Sequence, residues 1–153
     1  MNCFSYKNSY LFCEDVNLLD IADEYGTPTY IYSRKTLEQN IDLYQQSFKN
    51  KNSLICFSVK SLNNLAILKI LNDKECGFDI VSYGELMRVL HVGADPNKII
   101  FSGVGKSETE IIEGINNGIL SFNIESESEL HRIESIASKP VSYTHLTLPT
   151  IYS

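Results

Sequence analysis

Two lysines in this sequence stand at the ends of apolar runs, where an amine could act on something other than water. Lys60 closes "ICFSVK", in which Ile55, Phe57 and Val59 alternate as in a strand with one buried face. A strand of that kind is a rigid stem for an amine. Shielded from water and held neutral, the amine is a nucleophile able to form a Schiff base with a carbonyl. Reaching past the strand end, it is a solvated ammonium on a loop. Residue types alone leave both readings open. The second lysine, Lys106, lies in "FSGVGKSETE", where a strand, a glycine turn, Gly-Lys-Ser and a helix resemble a phosphate-cradling loop. The full pattern needs a further glycine five residues before Gly105, and that position is Ile100. A plain strand-to-helix turn accounts for the same stretch, because Ser107 and Glu110 have the spacing of a capping box. Nucleotide binding through Gly105 and Lys106 therefore stays as a remote alternative.

Acids and hydroxyls accompany the two lysines. "GFDIVSYGEL" supplies Asp79, Ser82 and Glu85, "IIFSG" supplies Ser102, and "FNIES" supplies Asn123, Glu125 and Ser126. Asp79 follows Phe78 inside an apolar run, an uncomfortable place for a merely solvated carboxylate. Glu85 reads equally as a pocket acid or as a first-turn acid favoured by the helix N-terminus.

These residues need elements to hold them, and the chain alternates strand-like and helix-like segments. A hairpin is expected within residues 1–16. "NLLDIADEYG" sets Leu18, Leu19, Ile21 and Ala22 on one helical face, with Gly26 as a stop. "TPTYIYS" reads as a short strand. "RKTLEQNIDLYQQSFKN" reads as an amphipathic helix through Leu37, Ile41, Tyr44 and Phe48. Four β-then-α units follow between Ser53 and Ser138: "SLICFSV" with "NNLAILKILND", "GFDIV" with "SYGELMRVLHVG", "KIIFSG" with "SETEIIEGINNG", and "ILSFNI" with "ESESELHRIESIAS". Repeated units of this kind make a parallel sheet, open or closed into a barrel, and chemistry collects at the carboxyl ends of its strands. Lys60, Asp79, Ser102 and Asn123 all fall on that rim.

Composition narrows the class of protein. The 153 residues carry 13 Lys and Arg against 19 Asp and Glu, a formal net charge of -6, and no basic block that could follow a phosphate backbone. No nucleic-acid partner is expected. Hydrophobic residues at 43% and charged residues at 21% fit an ordinary globular domain. No run approaches bilayer-spanning length and the N-terminus has no cationic start with a long apolar stretch, so neither membrane insertion nor export is expected and the localisation is read as cytoplasmic. Cys3, Cys13, Cys56 and Cys76 are scattered without a C-x-x-C pair, which suits reduced thiols and no metal site.

Taken in order, "YGTPTYIYS", "CFSVKSLNNLAILKIL", "GFDIVSYGEL", "KIIFSGVGKSETEI" and "FNIESESEL" resemble the N-terminal half of diaminopimelate decarboxylases. These belong with the ornithine and arginine decarboxylase-like enzymes that bind pyridoxal phosphate on an alanine-racemase-type (β/α)8 barrel. The resemblance covers roughly residues 17–138. It implies α/β architecture with part of that barrel present, pyridoxal 5'-phosphate as cofactor, a small amino acid as substrate and a homodimer for the intact parent. The implied reaction is decarboxylation of meso-2,6-diaminopimelate to L-lysine and carbon dioxide, with ornithine, arginine and carboxynorspermidine decarboxylases as sister readings. Residue by residue, Lys60 matches the lysine that holds the cofactor covalently, Asp79 an acid near cofactor and lysine, and Ser58, Ser82 and Glu85 line the pocket. After the lysine this chain has Ser61-Leu62 where the family more often has Ala-Asn, which bears on substrate subtype. Alanine racemases continue with an "NAYGHG"-like run; "LNNLAI" here argues against that activity.

The last residues break the resemblance. "VSYTHLTLPT" is a translation of a DNA sequence resembling the transposase adaptor used to fragment DNA for sequencing, so residues 141–153 are expected to be a non-native tail and His145 no site candidate. Residues 17–140 are then about half a barrel, without the family's later cofactor-ring and phosphate-binding segments or its C-terminal β domain. The chain alone is accordingly expected to be poorly soluble and inactive.

Overall fold

The computed structural model describes residues 3–138, which divide into two compact units after Asn52. The segment expected to be a non-native tail lies outside the described residues.

In the first unit, β1 (Phe4–Lys7), β2 (Tyr10–Cys13) and β3 (Val16–Asn17) form an antiparallel sheet in that order. The expected hairpin joins β1 to β2. Asn8 and Ser9 both have positive φ, 51° and 68°, the twist a two-residue connection needs to match the right-handed strands. Two helices follow, α1 (Leu18–Tyr25) and α2 (Arg34–Phe48). Asn17 caps α1 and Gly26 ends it at φ 81°, its N–H bonded to the Ala22 carbonyl. Ser33 caps α2 by accepting from Thr36 N–H at 3.0 Å. Glu14 serves the same end from the strand side, its Oε1 accepting from the Ser33 hydroxyl at 2.8 Å and from Lys35 N–H at 3.0 Å. Those bonds, the backbone one first, hold the Glu14 carboxyl below its ordinary pKa.

One sequence expectation fails here. "TPTYIYS" forms no strand; among the described residues it pairs with no ladder, and Tyr30 and Tyr32 are exposed. β-propensity cannot make a strand without a neighbour to accept its hydrogen bonds.

The second unit contains the four expected β/α repeats. They are β4 (Cys56–Ser58) with α3 (Leu65–Asp73), β5 (Gly77–Ile80) with α4 (Tyr83–His91), β6 (Ile99–Phe101) with α5 (Glu108–Asn116), and β7 (Ser121–Phe122) with α6 (Glu127–Ala137). All pairings are parallel and the sheet order is β4-β5-β6-β7, each strand beside its successor. β4 and β7 are shorter than their apolar runs suggest. After Ser58 the chain tightens into a 3-10 turn, Val59–Ser61, and Lys60 rides on that turn.

Alternation divides the sheet into two unlike faces. Phe78, Ile80, Ile99, Phe101 and Phe122 are fully buried on one of them. Phe101 and Phe122 stack at 5.9 Å, and the Phe122 ring meets α5 at Gly114, where a Cβ would come within 2.5 Å of it. Burying each of these side chains contributes about 1.5–3 kcal/mol, so this face anchors the sheet. The opposite face carries Cys56, Ser58, Gly77, Asp79 and Ile100, small or polar except for the last, and all but Gly77 only partly covered.

Candidate active site

The polar face ends in a row of side chains at the carboxyl ends of the strands. Ser58 and Asp79 are register partners on β4 and β5. Ser102 follows β6 directly, its N–H bonded to the Ile80 carbonyl, and Asn123 follows β7 with its N–H on the Phe101 carbonyl. The ladder thus continues one residue past each strand and sets both side chains two residues beyond Ile100 and Ser121, which lie in register with Asp79. Both Asp79 oxygens are engaged. Oδ1 accepts a short hydrogen bond from the Ser102 hydroxyl, and Oδ2 lies 3.4 Å from the Ser58 hydroxyl, long for a bond of this type. The Ser102 oxygen, having given its proton to the carboxylate, accepts from Asn123 Nδ2 at 2.9 Å. Ser58, Asp79, Ser102 and Asn123 are each half-buried.

Lys60 sits two residues beyond Ser58. Its turn is held by the Ser61 hydroxyl on the Ser58 carbonyl at 2.7 Å and by Leu62 N–H on the Val59 carbonyl at 3.1 Å, with Val59 itself fully buried. The side chain is exposed and, among the described residues, makes no hydrogen bond or ion pair. A fixed backbone therefore carries a free amine two residues beyond Ser58, the register partner of Asp79. The Asp79 charge is felt nearby as well: the Cys56 thiol is pushed up to about 11, by burial first and then by Asp79 and Cys76.

Lys106 behaves in the opposite way. It is 3% exposed, and its ammonium donates to the Gly103 carbonyl at 2.7 Å, the Asn123 carbonyl at 2.7 Å and Glu129 Oε1 at 3.1 Å. Glu129, 4% exposed, uses its other oxygen to accept from Glu125 N–H at 2.9 Å. An ammonium whose three donors already point inward cannot neutralise a phosphate in a glycine turn, and this geometry removes the phosphate-cradling alternative.

Ser82 and Glu85 are both engaged at the start of α4. The Ser82 hydroxyl accepts from Glu85 N–H at 3.2 Å, and Glu85 Oε2 accepts from Val81 N–H at 2.8 Å. Equivalent arrangements open α5 with Ser107 and Glu110, a full capping box, and α6 with Ser126 and Glu129. Three successive Ser-x-x-Glu turns were the available signal for Glu129, whose pairing with Lys106 the sequence reading did not foresee. Ser102 and Asn123 were read as rim residues only, without their connection to Asp79.

A family model described as "Pyridoxal-dependent decarboxylase, pyridoxal binding domain" matches residues 34–148. The chain belongs to this family. Among members of this pyridoxal-dependent decarboxylase family, a diaminopimelate decarboxylase of Haemophilus influenzae is 47% identical over 139 residues, covering 91% of this chain and 34% of the relative. The crystal structure of a diaminopimelate decarboxylase from M. jannaschii in complex with L-lysine superposes with a TM-score of 0.92 at 30% identity, covering 96% of this chain and 35% of that one. An arginine decarboxylase of Paramecium bursaria Chlorella virus is more distant, with a TM-score of 0.72 at 26% identity, covering 86% of this chain and 35% of that one. The chain spans about a third of the length of the curated relatives it matches. Its four parallel units are accordingly part of the decarboxylase barrel, as the resemblance implies, and not an open doubly wound sheet. Among the described residues no helix is long and apolar enough to cross a membrane.

Proposed function

We propose that this chain is the part of a diaminopimelate decarboxylase that holds pyridoxal 5'-phosphate through Lys60 and serves release of carbon dioxide from meso-2,6-diaminopimelate, leaving L-lysine. One observation carries the reading: of the two rim lysines, Lys106 is consumed by three buried acceptors, whereas the Lys60 amine is unpartnered, on the turn that follows β4, whose Ser58 is the register partner of Asp79. The donor set suits the cofactor's aldehyde end, which needs a nucleophilic amine and a neighbouring negative charge. When bound, the cofactor supplies an electron-withdrawing ring that takes up the electron pair left as carbon dioxide departs.

In this reading the rest belongs to the chain. Lys60 would hold the cofactor through its amine, and would give up and retake that place as substrate enters and product leaves. Once the cofactor is held there, Asp79 would stabilise positive charge at the Lys60 nitrogen, and Ser58 and Ser102 keep its oxygens aimed along the rim. Ser82 and Glu85 act by setting the start of α4 at the pocket edge. The choice of substrate rests on the relatives, 47% identity to a diaminopimelate decarboxylase against 26% to the arginine enzyme.

Incubation of the purified chain with pyridoxal phosphate, borohydride reduction and peptide mass spectrometry tests the assignment. A reduced cofactor adduct on Lys60 that disappears in Lys60→Arg is the expected result. Labelling spread over surface lysines and unchanged by that substitution would sink it. By itself the 153-residue chain is expected to release no carbon dioxide from meso-2,6-diaminopimelate.

A further inference from the structure

Asn123 and the Lys106–Glu129 pair have no role in the reading above, yet they continue the row that runs from Asp79 through Ser102. Asn123 Nδ2 donates to Ser102, Ser102 donates to Asp79, and the Asn123 main chain is itself clamped, its carbonyl accepting from the buried Lys106 ammonium and its N–H bonded to Phe101. Lys106 in turn holds the Gly103 carbonyl in the loop that carries Ser102, and Glu129 supplies the countercharge from α6. Gly103, at φ 93°, lets that loop turn back so that its carbonyl faces the ammonium.

We infer that Ser102 and Asn123 are positioning residues for the Asp79 carboxylate, anchored by the Lys106–Glu129 pair, and that they set how readily Lys60 takes up the cofactor. The inference rests on Lys60 being the cofactor-binding amine. The physical case is one of competition. An exposed, unpaired ammonium at Lys60 and a carboxylate on the neighbouring strand attract one another. The Ser58 contact, at 3.4 Å, is too long to hold the carboxylate alone, so Ser102 must supply most of the restraint. Asn123, by donating to the Ser102 oxygen, biases the hydroxyl rotor so that its hydrogen points at Asp79. Without either one, the carboxylate is free to pair with Lys60, and a nitrogen tied to a carboxylate is not available to an aldehyde. The Lys106–Glu129 pair contributes indirectly, by holding the two loops at one spacing.

The test follows labelling of Lys60 in the full 153-residue chain. Pyridoxal phosphate is added at several concentrations. The amine and aldehyde condense with loss of water, and borohydride delivers hydride to the carbon of the new C=N bond, leaving a secondary amine that mass spectrometry locates. Ser102→Ala and Asn123→Ala are each expected to raise the cofactor concentration for half-labelling about tenfold, the scale of one hydrogen bond to a charged acceptor. Ser102→Thr, which keeps the hydroxyl, should restore it. Far-UV circular dichroism and the urea midpoint of each variant separate this effect from loss of fold, and a structural role alone would not be rescued at the labelling step by threonine while the Ala variant remained folded. Equal labelling of the unaltered chain and the folded Ala variants would overturn the inference and leave Lys60 in place. Failure of the unaltered chain to label at Lys60 would remove the assignment of that lysine and the inference with it.

Discussion

The buried Lys106–Glu129 pair permits the sharpest quantitative test of this fold. Replacing Glu129 by alanine leaves an ammonium at 3% exposure with two carbonyls and no countercharge. At the 3.1 Å separation, and with the effective dielectric that reproduces protein charge pairs, the attraction lost is on the order of 5 kcal/mol. Removing one member of a buried pair costs about 3–5 kcal/mol, because the surviving charge stays desolvated. The substitution also takes the acceptor from Glu125 N–H, although Glu125 is exposed and water can replace it. Against a typical domain stability of about 5–15 kcal/mol, the loss is large. Urea unfolding followed by circular dichroism should show the midpoint falling by about 2 M, with slopes of about 1–3 kcal/mol per molar for a protein of this size. Glu129→Gln, which keeps an acceptor for Glu125 N–H and removes only the charge, should sit between. The double variant Lys106→Met with Glu129→Leu should cost clearly less than the two single changes added together, since no charge is then stranded. A Glu129→Ala cost below about 1 kcal/mol, or a double variant equal to the sum of the singles, would refute the claim that these groups form a desolvated, coupled pair.

Other expectations follow from single sites. A Cβ at Gly77 would lie 2.5 Å from the Lys98 carbonyl oxygen and 2.8 Å from Cys56 Sγ, and since the first neighbour is main chain, Gly77→Ala should lower stability by about 1–3 kcal/mol in urea unfolding. The hydroxyls of Thr36 and Ser33 near Cys3 lower its thiol, whereas burial raises Cys13, Cys56 and Cys76, so iodoacetamide at about pH 8 should modify Cys3 first by peptide mapping. Burial alone would raise the Glu110 carboxyl, but bonds from the Ser107 N–H, the Tyr83 N–H and the Ser107 hydroxyl outweigh it and hold the group below its ordinary value. A folded-state pKa below the unfolded one contributes stability that is complete above the unfolded value and lost as pH falls through the folded value. Glu110→Gln should therefore flatten the urea midpoint's dependence on pH in that acid window, and an unchanged slope would count against the capping geometry.

The sequence alone determined the order of elements, because apolar period is a local property. The four β/α repeats, the stop at Gly26 and the Ser107–Glu110 capping box all follow from residues within a turn or a strand of one another. It also supplied the family resemblance, and with it the expectation for Lys60. Tertiary structure decided what depends on partners distant in the chain. Whether "TPTYIYS" is a strand turns on a neighbour to pair with, and it has none among the described residues. The two rim lysines look alike in sequence, each closing an apolar run. They separate only when α6 folds back to bring Glu129, 23 residues away, onto Lys106 and nothing comparable onto Lys60. The grip of Ser102 on Asp79 spans another 23 residues and exists because parallel register sets the ends of β5 and β6 at one level. Charge, hydroxyl and amide were all visible one by one in the sequence. Which of them would spend its hydrogen bonds on the fold, and which would remain free for chemistry, was settled only by what the parallel sheet and its helices place beside each.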